Sequence, residues 1–434
     1  MLGIDQERAA HATGQSLRSG LRAAGLSCVA AAVLLVTAAA GATASRREPP
    51  VRATSGEDSA AAIAAVTKDG WDPPLGPRAL RAIAQRYSLL ITDGSAAFNS
   101  KVAYLHERDR DLVVVPYVDA LAATGPQAFL SRVHPGWFLR DRAGAIVHEP
   151  GYPDNLLMDP GNPQVIAYRV AGVRRLVDRF GYNGVFLDNV FPYIEDGGSV
   201  WYSGLPIDPR TGRPFTNREW YRDTLAFLRA VRRALGRRKL LIFNGLVTGQ
   251  VFSQFRREYL GYLSVSSGAM EEGFMRWDGD PANSFRSESL WLADVESIAA
   301  VNRLHKLAIG WTDLAVPASA AQASRVELYS LSSYLLAAGG PRYYSFLREP
   351  VRGAVQPFQR DWSLRLGAPI GPYFRQGGLF ERSFTHGLVL VNPTDSGRSY
   401  SEALPRSYET LAGRRVTTVT VGPKRGTILL DAPS

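Results

Sequence analysis

Cysteine is all but missing from this chain; Cys28 is the only one in 434 residues. A single thiol excludes a disulfide framework and any thiolate cluster for zinc or iron–sulfur. Lysine is scarce too, five residues against 45 arginines. The formal net charge of +10 rests on arginines spread along the chain with no long cluster. That pattern reads as compositional bias rather than a nucleic-acid footprint, with an acidic glycan as the polyanion kept in view. The six histidines show neither HxH nor HExxH spacing, so a zinc site is not expected. No GxGxxG or GxxxxGKS loop follows an apolar run, and no GxSxG elbow is present. Nucleotide-binding and serine-hydrolase readings therefore lapse, and no metal or cofactor is expected.

What the chain does have is a hydrophobic content of 45%, enough for one large core and a small second one. Residues 1–44 have the pattern of a targeting segment: Arg18 and Arg22, an apolar run over 23–40, then Ala42-Thr43-Ala44 as a small-x-small cleavage site. The alternative is an uncleaved N-terminal membrane anchor. Either way the body of the protein is expected outside the cytoplasm. Residues 45–68, rich in Arg, Pro, Ser and Ala, read as a linker.

From Trp71 onward short apolar runs alternate with stretches of helical period. The runs are Leu89–Thr92, Leu112–Tyr117, Leu156–Asp159, Gly184–Asp188, Leu240–Asn244, Leu263–Glu272, Leu307–Trp311 and Arg342–Ser345. Eight strand–helix repeats predict an α/β fold, a (β/α)8 TIM barrel over residues 69–372, with an open doubly wound sheet as the alternative. After residue 373 the helical period stops. Short β-like runs split by Gly, Pro, Asn and Ser predict a small C-terminal antiparallel β-domain over 373–434.

A barrel carries its chemistry at the C-terminal ends of its strands. The polar and aromatic residues ending these runs are Asp93, Tyr117 and Asp119, Asp159, Asp188, Asn244, Glu271 and Glu272, Trp311 and Asp313, and Tyr343 and Tyr344. Trp71, Trp137, Trp201 and Trp277 fall in the loops between them. Carboxylates beside aromatic faces suit sugar chemistry. One acid protonates a leaving glycosidic oxygen, a second carboxylate attacks or activates water, and aromatic faces pack on sugar C–H groups. Asp188 is the foremost catalytic candidate because Gly184–Leu187 is too apolar to be anything but a buried strand, and an unpaired charge there must open at its mouth. A loop-capping role is its alternative. Glu271 and Glu272 are adjacent, so strand alternation points them to opposite sides; Glu272 is preferred as the catalytic partner. Asp93, Tyr117, Trp137, Asp159, Asn244, Glu271, Trp311 and Tyr343 are the expected substrate-binding residues. Asp159 reads equally as a helix cap, Asp93 as a turn residue, and the tyrosines as packing.

Several segments resemble one group of barrel enzymes. Gly181-Tyr182-Asn183-Gly184-Val185-Phe186-Leu187-Asp188-Asn189-Val190, with Asp159-Pro160-Gly161-Asn162-Pro163 ahead of it, is similar to the "fDGvflDnv" region of endo-polygalactosaminidase-like glycosidases and the hypothetical glycosyl hydrolase families grouped near them. Glu271-Glu272-Gly273-Phe274, His134-Pro135-Gly136-Trp137-Phe138-Leu139-Arg140-Asp141 and Arg382–Pro393 resemble further elements of that group. The likeness runs from about Trp71 to Leu430. It departs at Asn183, where the pattern has Asp, so any role of that carboxylate is absent. The resemblance implies Asp188 as nucleophile or base and Glu272 as general acid.

These readings converge on a secreted glycoside hydrolase acting on an extracellular or cell-wall polysaccharide, monomeric and without a nucleic-acid partner. The rival is a glycan-binding barrel without turnover, its rim carboxylates too far apart or paired with Arg140, Arg276 or Arg342. A non-glycosidic hydrolase or a ligand-free structural barrel is the third reading.

Overall fold

The computed structural model describes residues 64–67, 75–194, 201–277, 279–339, 343–348 and 359–432. The expected targeting segment, most of the linker, Trp71 and Arg342 lie outside the described residues.

Eight parallel strands form one sheet in chain order: β1 (Ala64–Thr67), β2 (Leu89–Thr92), β3 (Val113–Asp119), β4 (Gly184–Asp188), β5 (Leu240–Asn244), β6 (Gly268–Glu271), β7 (Leu307–Leu314) and β8 (Tyr343–Arg348). The sheet curls until β1 and β8 come into contact. Helices α1 (Pro77–Arg86), α2 (Val102–Arg108), α3 (Pro163–Phe180), α4 (Asn217–Leu235), α5 (Arg256–Val265), α6 (Glu288–Arg303) and α7 (Ala320–Ala337) alternate with them. This is the expected barrel. No described helix is long and apolar enough to cross a membrane.

The helix boundaries follow local chemistry. In α3, Asn162 accepts from Gln164 N at 2.9 Å, Pro163 opens the first turn, and Gly181 closes the helix in the left-handed region at φ 78°. In α4, Thr216 and Glu219 form a reciprocal capping box.

The run Leu263–Glu272 is shortened, because Leu263–Val265 ends α5 and only Gly268–Glu271 is strand. Two further strand assignments need correction, and they offset each other. Leu156–Asp159 is not a barrel strand. Tyr152–Leu157 belongs to a side lobe, pairing antiparallel with Ala122–Ala123 and His148–Glu149. The short apolar run there faces the lobe, where Leu130, Phe138, Met158 and Val165 form a separate small core. Conversely, Ala64–Thr67, inside the expected linker, is β1 and pairs in parallel with β2. Its small alanines dilute the apolar signal that marks the other strands. One strand is lost and one gained ahead of Asp188, so Asp188 still ends the fourth. Strands β7 and β8 also run on past their expected ends at Trp311 and Ser345. Asp313 and Arg348 break the apolar count without breaking the ladder.

Inside the barrel, Leu89, Ile91, Val115, Phe186, Ile242, Met270, Ile309, Trp311 and Tyr343 form one packed cluster. These are alternate residues of seven strands, as a filled barrel interior requires. The next inward-facing positions up each strand make the floor of the rim.

The C-terminal sheet is antiparallel, with strands β9 (Pro369–Gln376), β10 (Leu379–Phe384), β11 (Gly387–Asn392), β12 (Tyr400–Thr410), β13 (Arg415–Val421) and β14 (Arg425–Asp431) in the order β9-β10-β11-β14-β12-β13. It packs on α7. The buried Arg382 guanidinium donates to the carbonyls of Leu335, Leu336 and Ala338 at 3.1, 2.9 and 2.6 Å, satisfying the C-terminal end of that helix.

Candidate active site

The inward parity set by the core decides which polar residues meet. Phe186 faces inward, so Asp188 does; Ile242 selects Asn244; Met270 selects Glu272 and turns Glu271 outward. The contacts agree. Asp188 Oδ2 accepts from the Tyr117 hydroxyl at 2.6 Å, and Oδ1 accepts from Asn189 N at 2.9 Å and Asn244 Nδ2 at 2.8 Å. The same Asn244 Nδ2 donates to Glu272 Oε2 at 2.8 Å. One amide therefore spans two carboxylates from adjacent strands.

Electrostatics follow from this crowding. Burial first, then the charges of Glu272 and Asp119, push Asp188 up to about 7, against the lowering effect of the bonds from Tyr117 and Asn244. Burial and the Asp188 and Asp119 carboxylates hold the Tyr117 hydroxyl well above its ordinary value, so it stays a donor.

The loops above β4, β5 and β6 are built under strain. Asn189, Val247 and Met275 each sit at positive φ, 60°, 62° and 67°. For a β-branched valine this is a rare and costly backbone state, of the kind that collects at functional sites. The loops are tied together: Val190 N donates to Asn244 O at 2.9 Å and Gly273 N to Val247 O at 3.0 Å. Phe191, Tyr193, Val247 and Trp277 pack over them. Phe191 stacks on Trp201 at 4.6 Å and Tyr193 on Phe255 at 4.7 Å.

Of the expected binding residues, Tyr117 and Asn244 join Asp188 and Glu272. Asp93 holds the turn after β2 through Ser95 N at 2.8 Å. Trp311 and Tyr343 belong to the packed barrel interior rather than the strand ends, because β7 and β8 continue beyond them. Trp311 Nε1 donates to Asp313 Oδ1 at 2.8 Å.

Glu271, Trp137 and Asp159 are not brought to the pair either. Glu271 is fully buried against α6, accepting from the Ser297 hydroxyl, and burial followed by the Asp294 carboxylate holds it well above the usual carboxylate range. It packs against α6, away from Asp188 and Glu272. Trp137 belongs to the side lobe, stacked on His134 at 4.0 Å and held by Gln164 at 2.9 Å. Asp159 caps the approach to α3 through Gly161 N at 2.8 Å. Asn183 lies at the opposite end of the barrel, where its Oδ1 accepts from Val114 N at 2.7 Å.

Sequence reasoning missed two participants. Asn189 links Asp188 to Asp119, and Glu149 enters from the side lobe. Asn189 stood inside the "LDN" motif; Glu149 ends no barrel strand and carries no sequence signal.

The family model for hypothetical glycosyl hydrolase family 15 matches residues 116–388, which holds Asp188, Asn244 and Glu272. The chain belongs to that family. It is thereby a glycosidase by reaction class. No curated protein matches it. Among solved structures, a noncanonic maltogenic alpha-amylase, AmyB, from Thermotoga neapolitana aligns with a TM-score of 0.55 at 13% identity, covering 88% of this chain and 100% of that one. This likeness supports the barrel fold. The glycoside hydrolase domain of PelA from Pseudomonas aeruginosa aligns at 16% identity and TM-score 0.42, covering 66% of this chain and 95% of that one. Ega3 from Aspergillus fumigatus, in complex with galactosamine, aligns at 12% and 0.41, covering 69% and 96%.

Proposed function

We propose that this family member is a retaining glycoside hydrolase in which Asp188 is the nucleophile and Glu272 the acid and base. The observation that carries the reading is the Asn244 amide shared by both carboxylates. Two acceptors at 2.8 Å from one nitrogen, along N–H directions about 120° apart, set the facing oxygens roughly 5 Å from each other. Separations of about 5–5.5 Å suit direct attack on the anomeric carbon, whereas inversion needs about 6.5–9.5 Å for an intervening water.

Proton placement supports the division of roles. Both oxygens of Asp188 receive donors, so it acts as an acceptor and serves as the ionised partner. Asp188 is pushed up to about 7, so it is freed as the nucleophile as the pH rises through that value. In the first step Asp188 attacks the anomeric carbon as Glu272 gives its proton to the leaving oxygen. In the second, Glu272 takes a proton from water, which displaces Asp188 and regenerates both groups. The strained loops and the aromatic layer over β4–β6 fit a site that orients a sugar ring. Arg140 donates to the backbone carbonyl of Gly144, and Arg276 to that of Asp280. The substrate assigned is an extracellular or cell-wall polysaccharide, reached by a secreted or anchored enzyme.

The test is reducing-end release from a panel of purified polysaccharides by the wild type and by Asp188→Asn. The substitution is expected to abolish release while leaving the fold intact. Undiminished hydrolysis by Asp188→Asn overturns the assignment.

A further inference from the structure

Glu149 belongs to no barrel strand; it lies between β3 and β4 in sequence, in the side-lobe strand His148–Glu149. Yet its carboxyl is buried among the acids of the rim. Asn189 Nδ2 donates to Glu149 Oε1 at 2.8 Å and to Asp119 Oδ2 at 2.9 Å, and Asn155 Nδ2 donates to Glu149 Oε2 at 2.8 Å. Asp119 Oδ1 accepts from Leu121 N at 3.0 Å and Ala122 N at 2.7 Å, so both of its oxygens are held. Burial and the Asp119 charge push the Glu149 carboxyl up to about 10, which keeps it a neutral acid at ordinary pH.

The lobe is fastened where it delivers this group. Ser203 N donates to His148 O at 2.7 Å, and His148 N to Ser203 Oγ at 3.1 Å. The buried Tyr202 hydroxyl, with no hydrogen-bond partner of its own, lies near Glu149, Asp119 and Asp188. The titratable groups facing Glu149 are thus Tyr117 and Asp119 from β3, Asp188 from β4 and Tyr202 from the loop beyond it.

We infer that Glu149 is a positioning residue of the catalytic centre. With Asp119 it accepts from the Asn189 side-chain amide, and so fixes the strained residue whose N–H holds Asp188 Oδ1. The side lobe is on this account part of the active site. The inference rests on the reading of Asp188 as nucleophile.

Glu149→Gln keeps the shape and a donor; Glu149→Ala removes both. In infrared difference spectra at about pH 8, wild type minus Glu149→Gln should show the lost carbonyl stretch of a protonated carboxylic acid. On the polysaccharide the wild type degrades, Glu149→Gln should keep kcat within about threefold. Glu149→Ala should lose about tenfold or more in kcat with KM changed by less than about threefold, because orientation rather than binding is impaired. A lost carboxylate stretch in place of the acid stretch, or full kcat in Glu149→Ala, overturns the inference. Turnover by Asp188→Asn would instead sink the catalytic reading, and the infrared arm would still decide the state of Glu149.

Discussion

Asp188→Asn should stabilise the fold, and the gain should depend on pH. In the folded state Asp188 is pushed from 3.8 up to about 7 by burial and by Glu272 and Asp119. A carboxyl raised in this way keeps its proton longer when folded than when unfolded. Its native state is unpenalised below the unfolded value, and loses stability progressively as pH rises from about 4 through about 7. The shift corresponds to a ceiling of about 4 kcal/mol above pH 7, at about 1.4 kcal/mol for each pH unit. Asparagine does not ionise, so the variant escapes that cost. It keeps an acceptor for Asn189 N and Asn244 Nδ2, and the Tyr117 hydroxyl can turn to suit an amide. The assay is thermal unfolding of both proteins at about pH 5 and about pH 8. The variant should melt only slightly higher at the lower pH and clearly higher at the upper one. A gain of 2 kcal/mol, half the ceiling, would raise Tm by several degrees in a chain this size. An equal difference at the two pH values would refute the reasoning, since it would mean that Asp188 ionises in the folded protein as it does in the unfolded one.

Asn244→Ala removes a donor that favours the ionised form of Asp188. The acidic limb of the kcat/KM profile, set by ionisation of the nucleophile, should then move up by about one pH unit, the worth of one hydrogen bond to a charged group; an unmoved limb argues against the shared amide. Glu271→Gln should leave kcat within about threefold, whereas Glu272→Gln should cost about a hundredfold or more, as expected for a lost general acid. Equal losses in the two would contradict the assignment of inward and outward faces.

The fold was legible from the sequence because barrel strands buried on both sides are apolar along their length. β4 and β5 show this in Val185–Leu187 and Leu241–Phe243, all fully or almost fully buried. β1 was hidden by its alanines, and Leu156–Met158 imitated a barrel strand because Leu156 and Met158 pack in a small core of the side lobe's own. In the site, alternation was enough to separate Glu272 from Glu271, whereas the bond between Asn244 and Asp188 emerges only in the structure. Trp311 and Tyr343 were misplaced because an apolar count stops at the first polar residue, while β7 carries Asp313 within the ladder. Glu149 could not be read at all. Its position is set by the lobe's pairing and by Asn189 at positive φ, both of which are tertiary facts.

The account stands most directly on whether Asp188 forms a bond to sugar. The deciding measurement is peptide mass mapping after incubation with a panel of 2-deoxy-2-fluoroglycosyl fluorides, which slow release of a glycosyl-enzyme intermediate. The account predicts a single glycosyl adduct on the peptide containing Asp188, at that residue. An adduct on any other carboxylate, or turnover of the same sugar with inverted configuration and no adduct, would contradict it.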